Sequence, residues 1–333
     1  KREGTVVVIG TPAEEMLYGK VALLGEGGFD GIDVLLTCHV DYQNCAASRP
    51  TLSCFSGEFC FGGISSHSGA ARAHNALDGA ELSVQTIERM RGHQFPNTSV
   101  EHVIRNGGNM PNITPSRSTL WVNVRDANYE TAKIVYENIR EIVNESAKIA
   151  GVSVVEGFLA GARGYLPNDT LGKLLYKQLE EIGVAKFDEE DMCFMRELVA
   201  NVSGSTEIIS EPNLCYLNEG VDPYSQDDGE ASWHIPLGRV NWEIPLQIPL
   251  HNWCTTALAG TEFSKKGALM ASQALYQAAI EMIVNPDIVK EAEKERLTRL
   301  DGKEIGRPLY DSYEVLTKNP ESFWNGTWLE EKL

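Results

Sequence analysis

The chain has 333 residues, enough for two domains, since single hydrophobic cores stop growing near about 250–300 residues. Its 47 acidic side chains against 29 Lys and Arg give a formal charge of −18, which argues against nucleic acid and anionic membrane surfaces as partners. No apolar run approaches the roughly 18–20 residues of a membrane span, and the seven cysteines form no Cys-x-x-Cys pair, so reduced thiols in the cytoplasm are the expectation.

In chain order, the β-branched run Thr5–Ile9 predicts a buried strand. Thr11-Pro12-Ala13-Glu14-Glu15 then predicts a helix start, with Thr11 as N-cap, Pro12 at the first helical position and Glu14 completing a capping box. A strand so close to Lys1 leads us to expect that an N-terminal segment is missing. Asp33–Leu36 predicts a second strand, ending at Thr37-Cys38-His39, and in open α/β sheets ligands gather at such strand ends. Six elements follow: a strand over roughly Thr51–Ile64, a helix over Ala71–Arg91, strands over Ser99–Arg105 and Ser118–Arg125, a helix over Glu130–Ala150 and a strand over Val152–Phe158. In the second helix Ile134, Ile139, Ile142, Val143 and Ile149 fall close to helical spacing. The order β-α-β-β-α-β is the ferredoxin-like split motif. It divides the chain into 1–50, an inserted domain over 51–162, and 163–333. Helices are predicted near Thr170–Ile182 and over Lys265–Ile283, separated by a Pro- and Trp-rich stretch from Glu211 to Trp253, and residues 284–333 are expected to wrap the surface.

Glu14 and Glu15 have a plain structural reading as acidic residues in a first helical turn. Their functional reading is two adjacent carboxylates after a strand, one turned to a metal and the other to the metal-bound water as general base. With His39 and His251, Glu15 supplies two imidazoles and a carboxylate, a donor set suited to zinc, manganese or nickel. The separation of these residues makes spacing uninformative. His74, His93, His102 and His234 read as structural, and Gly107-Gly108-Asn109 as a turn, because no helix or Lys follows it.

Gly10-Thr-Pro-Ala-Glu-Glu15, Cys38-His39, Gly63-Ile-Ser-Ser-His67-Ser, Asn75-Ala-Leu-Asp-Gly79, Gly107-Gly-Asn-Met-Pro-Asn-Ile-Thr-Pro115 and Leu250-His251-Asn-Trp253 occur in one order. From about residue 4 to 290 the set resembles the metallopeptidase family of aminoacylases, carboxypeptidases and indoleacetyl-amino-acid hydrolases, and within it the branch of p-aminobenzoyl-glutamate hydrolase-like amidohydrolases and aminoacyl-dipeptide hydrolases. The resemblance implies an α/β, zinc-peptidase-like catalytic domain interrupted by a ferredoxin-like lid that also dimerises. It implies Glu14 as general base and Glu15, His39 and His251 as ligands of two divalent metal ions, zinc or manganese. His67 would reach across a homodimer to polarise the scissile carbonyl, while Asn112 and Arg125 would hold substrate, the latter by its carboxylate. Three departures stand out. The family's upstream Cys-Gly-His-Asn motif, which supplies further ligands, is absent; His251 is followed by Asn-Trp-Cys; and Glu230 replaces an Asp in Ser225-Gln-Asp-Asp-Gly-Glu-Ala-Ser232. Two functions therefore compete. One is a metal-dependent amidohydrolase acting on N-acyl or N-aroyl amino acids, such as p-aminobenzoyl-glutamate, or on dipeptides. The other is a metal-free relative acting as a non-catalytic partner or regulatory subunit.

Overall fold

The structure, a computed structural model, describes residues 3–69, 74–310 and 320–333. Helix α1 (Gly19–Gly25) leads into strands β1 (Leu35–Asp41) and β2 (Gln43–Ala47). The split motif follows as β3 (Ser53–Gly62), α2 (Ala76–Gln94), β4 (Ser99–Arg105), β5 (Arg117–Asp126), α3 (Tyr129–Ala150) and β6 (Ser153–Ala162). These four strands form an antiparallel sheet in the order β4-β5-β3-β6, so the mixed α/β class with a ferredoxin-like lid is borne out. Both lid helices pack on one face, where Phe55, Phe59, Phe61, Leu120, Val122 and Val124 from the strands meet Ile87, Val135, Tyr136 and Ile139. Asn75 and Asn128 cap the two helices by accepting from Leu77 N and Thr131 N, each satisfying one orphan donor of a helix start. Ile134 and Ile149, expected on the apolar stripe of α3, are exposed; the buried stripe runs instead through Ala132, Val135, Tyr136, Ile139 and Val143. Positions 71–73 of the expected first lid helix lie outside the described residues, and that helix begins at Ala76.

After the lid the chain forms α4 (Asp169–Ile182), α5 (Glu189–Ser203), β7 (Glu211–Leu217), α6 (Asp228–His234), β8 (Leu237–Glu243), α7 (Trp253–Ala259), α8 (Glu262–Val284), α9 (Asp287–Leu300) and α10 (Pro320–Trp324). The first sheet has the order β1-β8-β2-β7. Strand β1 runs parallel to β8 from Leu35↔Leu237 to Asp41↔Glu243, while β2 is antiparallel to β8 and parallel to β7. Leu36, Cys38, Ala46 and Val240 on one face pack against Leu171, Leu175, Met270, Ala271 and Ala274 of α4 and α8. Because strand side chains alternate, Thr37, His39, Arg239 and Asn241 point to the opposite face.

Several expectations are corrected. Residues 5–9 form no strand; Val6, Val7 and Val8 are exposed, Val8 at 95%. A β-branched run supplies propensity, but a strand also needs neighbours to pair and pack with, and among the described residues β1 is hydrogen-bonded only to β8. Thr11 caps nothing. The Glu14–Met16 turn is a single 3₁₀ turn preceded by Ala13 at φ 65°, with no side-chain cap, so the capping-box reading of Glu14 fails. The second strand runs from Leu35 to Asp41, two residues past His39, its expected end. The stretch 211–253 hides two strands and a helix. The tail does more than wrap: α9 is a full helix, and Phe323, Trp328 and Leu329 are buried against Met16, Tyr18 and Ala22 on the lid sheet's second face, beside Cys60 and Leu159. Positions 311–319 of that tail lie outside the described residues.

Candidate active site on the open face of the first sheet

The polar face of β1 and β8 forms one wall of a cavity of about 70 Å³ lined by Glu14, Lys20, Thr37, Cys38, His39, Gln226, Asp227, Asp228, Arg239 and Asn241. Three parts of the chain converge on it: the Glu14 turn with α1, the paired strands, and the loop leading into α6. Lys20 joins two of them, since its backbone N donates to Asp227 Oδ2 and its Nζ to Asp227 Oδ1, both at 2.7 Å. Asp227 is wholly buried, so this ion pair fixes α1 against α6.

Glu14 is half-buried at the cavity. Burial pushes its carboxyl up to about 7, with Asp227 and Glu15 adding to the rise and Lys20 opposing it. A carboxyl poised near neutrality accepts and returns a proton at physiological pH. His39 lies on the same wall, opposite Asn241 across the β1–β8 ladder. Its Nδ1 sits 2.5 Å from the Val40 carbonyl oxygen, which requires the proton on Nδ1 and leaves Nε2 as the lone-pair nitrogen.

Glu15 is exposed, and its Oε2 lies 3.4 Å from His251 Nδ1. His251 itself stands at φ 57°, directly before Asn252, which caps α7 through Cys254 N. Two of the three expected ligands therefore meet, 236 positions apart in sequence. The chemistry of Glu15, His39 and His251 suits a divalent metal, yet among the described residues no group of three His, Cys, Asp or Glu side chains stands close enough to hold one. The set as arranged does not form a metal cage.

The lid residues lie elsewhere. His67 is exposed in the loop after β3, bridged to Ile113 and accepting from Gly69 N at 3.2 Å, while Ser68 N donates to the Asn112 carbonyl at 3.0 Å. His67 and Asn112 thus share one loop pair, but neither lines the cavity. Arg125, on β5, has its Nε 3.6 Å from Glu101 Oε2 and likewise stays outside the cavity. The residues that sequence reasoning missed are Lys20, Gln226, Asp227, Asp228, Arg239 and Asn241. The Ser225–Ser232 motif pointed to three of them; Arg239 and Asn241 carry no signal until the pairing of β8 with β1 is known. Glu230, the departure in that motif, lies outside the cavity and is buried against Arg163, whose backbone N donates to it at 2.8 Å.

Comparison with known proteins fits this geometry. Residues 53–150 match the peptidase dimerisation domain of the M20 family. One of the p-aminobenzoyl-glutamate hydrolase chains of Escherichia coli is 23% identical over 322 residues, covering 88% of this chain and 67% of that protein. The human Xaa-Arg dipeptidase is 28% identical over 291 residues, covering 86% of this chain and 60% of that one. The chain is thus similar to M20 peptidases, and its residues 53–150 carry their dimerisation domain. Among solved structures, an aminobenzoyl-glutamate utilization protein from Klebsiella pneumoniae matches with a TM-score of 0.51 at 16% identity, over 81% of this chain and 60% of that chain, a likeness of fold alone. The chain spans between 60% and 67% of the length of these relatives. The relatives carry the names of amide-bond hydrolases.

Proposed function

We propose that this chain is an amidohydrolase that cleaves N-acyl or N-aroyl amino acids of the aminobenzoyl-glutamate kind, or dipeptides, with Glu14 as general base. The observation that carries this reading is the gathering of Glu14 and His39 at one polar cavity, with Glu15, next in the chain, against His251. Four residues from three segments, each assigned a chemical role on sequence grounds, come to one corner of the molecule.

In this scheme a water gives its proton to Glu14 as its oxygen bonds to the amide carbon. The C–N bond then breaks, and Glu14 returns the proton to the leaving nitrogen. Because the metal donors are not assembled as a cage, no step is routed through a metal; the finer expectation of two zinc or manganese ions rests on Glu15, His39 and His251 as a donor set. His67 as carbonyl partner, with Asn112 and Arg125 as substrate residues, belongs to the same proposal. Their place on the lid, away from the cavity, supports a homodimer in which the lid loop of one protomer serves the other. Among the described residues the lid's β4 is paired only on its β5 side, with Glu101, His102 and Val103 exposed, an edge open to a second copy. The division at residues 51 and 162 and a cytoplasmic site of action are part of the proposal. The seven cysteines are all free thiols, and among the described residues no helix is long and apolar enough to cross a membrane.

Turnover of p-aminobenzoyl-glutamate, N-acetyl-amino acids and dipeptides by the full chain with added zinc or manganese tests the activity. Hydrolysis of none of them refutes it. One observation favours a second reading: the lack of three converging metal donors among the described residues suits a metal-free, non-catalytic partner protein. Elemental analysis separates the two, since fewer than one metal per chain together with no turnover after adding zinc or manganese contradicts the enzyme reading.

A further inference from the structure

We propose that the C-terminal segment over residues 320–333 is a clamp for the turn that carries Glu14, which makes Phe323 and Trp328 positioning residues of the reaction. The effect of this clamp on turnover rests on the amidohydrolase reading above; its grip on the turn does not.

The Glu14 turn needs outside support. Glu14–Met16 is a single 3₁₀ turn, closed by Leu17 N donating to the Glu14 carbonyl at 2.7 Å. Both flanking residues stand in the left-handed region, Ala13 at φ 65° and Leu17 at φ 55°, where a side chain crowds the backbone. Such a conformation persists only where its surroundings enforce it. Here they are apolar. Leu17 is buried with Cys54 and Ala160 of the lid sheet, while Met16 and Tyr18 are buried in one cluster with Phe323, Trp328 and Leu329, against which Ala13 also packs.

The segment is itself fastened to the lid. After α10 the chain turns tightly, with Asn325 N donating to the Glu321 carbonyl at 2.9 Å, Gly326 at φ 70° and Trp328 N donating to the Ser322 carbonyl at 3.1 Å. This turn brings the Phe323 and Trp328 ring centroids to 5.9 Å. Phe323 meets Trp121 of β5 edge-on at 6.0 Å, and Arg105 of β4 donates to its carbonyl at 3.1 Å. The Trp328 indole N–H and the Arg105 guanidinium both donate to Glu58 of β3, which is wholly buried. Uncovering or orphaning such a carboxylate is costly, so its two donors pin the segment to the lid sheet. Tyr310 supplies a second hold on the catalytic side: its hydroxyl donates to Glu26 Oε1 at 2.9 Å, and its ring meets Tyr18 edge-on at 6.1 Å. The turn bearing the general base is thus wedged between the lid sheet and the end of the chain.

The test is amide hydrogen exchange of the full chain beside its Phe323→Ala variant, followed by kinetics of both. At labelling times that leave α3 protected in both proteins, residues 14–18 should exchange at least about tenfold faster in the variant, because the turn opens locally once its packing is removed. A base displaced by a fraction of an ångström loses rate rather than binding, so kcat should fall at least about tenfold with KM within about twofold. Exchange over 14–18 that is unchanged, or that rises only in step with α3, overturns the clamp. A loosened turn with unchanged kcat overturns the positioning role. If Phe323→Ala does not fold, Phe323→Val, a smaller truncation, is read by the same criteria. A chain that hydrolyses no amide yet loosens over 14–18 in the variant keeps the clamp and loses the amidohydrolase reading.

Discussion

Glu230 joins the two halves of the chain through a single buried carboxylate. It accepts from the Arg163 backbone and side chain just after β6, and the Arg163 guanidinium lies 4.4 Å over the Tyr129 ring at the start of α3. Glu230→Gln removes the counter-charge and leaves Arg163 largely buried, a change worth about 3 kcal/mol when a buried pair is broken from one side. A fall in melting temperature with the fold retained is expected; an unchanged melt contradicts the assignment. Glu14 was legible as a residue type, two carboxylates in a row, but not in its setting, because its elevated pKa arises from burial and from Asp227, more than 200 positions away. Arg239 and Asn241 were invisible for the same reason: a strand residue acquires a role only when its face is known.

At the scale of elements, sequence reading succeeded where contacts are local. The lid's alternating strands and 3.6-period helices appear within a few residues of their expected bounds, and β4 matches at both ends. It failed where an element depends on a distant partner, as at residues 5–9 and at β8. Two other long-range couplings give predictions. Glu295 on α9 accepts from the backbone of Asp169 and Thr170 and from the Thr170 hydroxyl, at 2.7 to 2.9 Å, capping the start of α4. Burial alone would raise its pKa, but these donors and Arg299 hold it below the ordinary carboxylate value. A carboxyl whose pKa falls on folding contributes stability above its unfolded pKa and loses it as pH drops through the folded one. Glu295→Gln therefore lowers the melting temperature near neutrality, with a gap to wild type that narrows below about pH 4; a gap constant with pH contradicts this. On the lid sheet, a Cβ added at Gly157 would stand 2.2 Å from the Trp328 ring. Gly157→Ala should cost about 1–3 kcal/mol by overpacking and raise Trp328 exposure, read by acrylamide quenching. Unchanged quenching and stability would show that the tail does not pack there.

For the whole molecule, the cavity on the first sheet is built by one chain, while the lid loop with His67 and Asn112 stands apart from it. A second copy is the element that would complete such a site, so light scattering of the full chain should return twice 36.7 kDa, and a monomer at micromolar concentration would remove His67 from the mechanism. Everything turns on the role of Glu14, and the most direct measurement is steady-state hydrolysis of alanyl-glutamate by the full chain beside its Glu14→Gln variant, with equal melting temperatures as control. A general base contributes roughly 10²–10⁴-fold to rate, so kcat should fall by at least about 10²-fold with the fold intact. A variant that retains wild-type turnover contradicts that role.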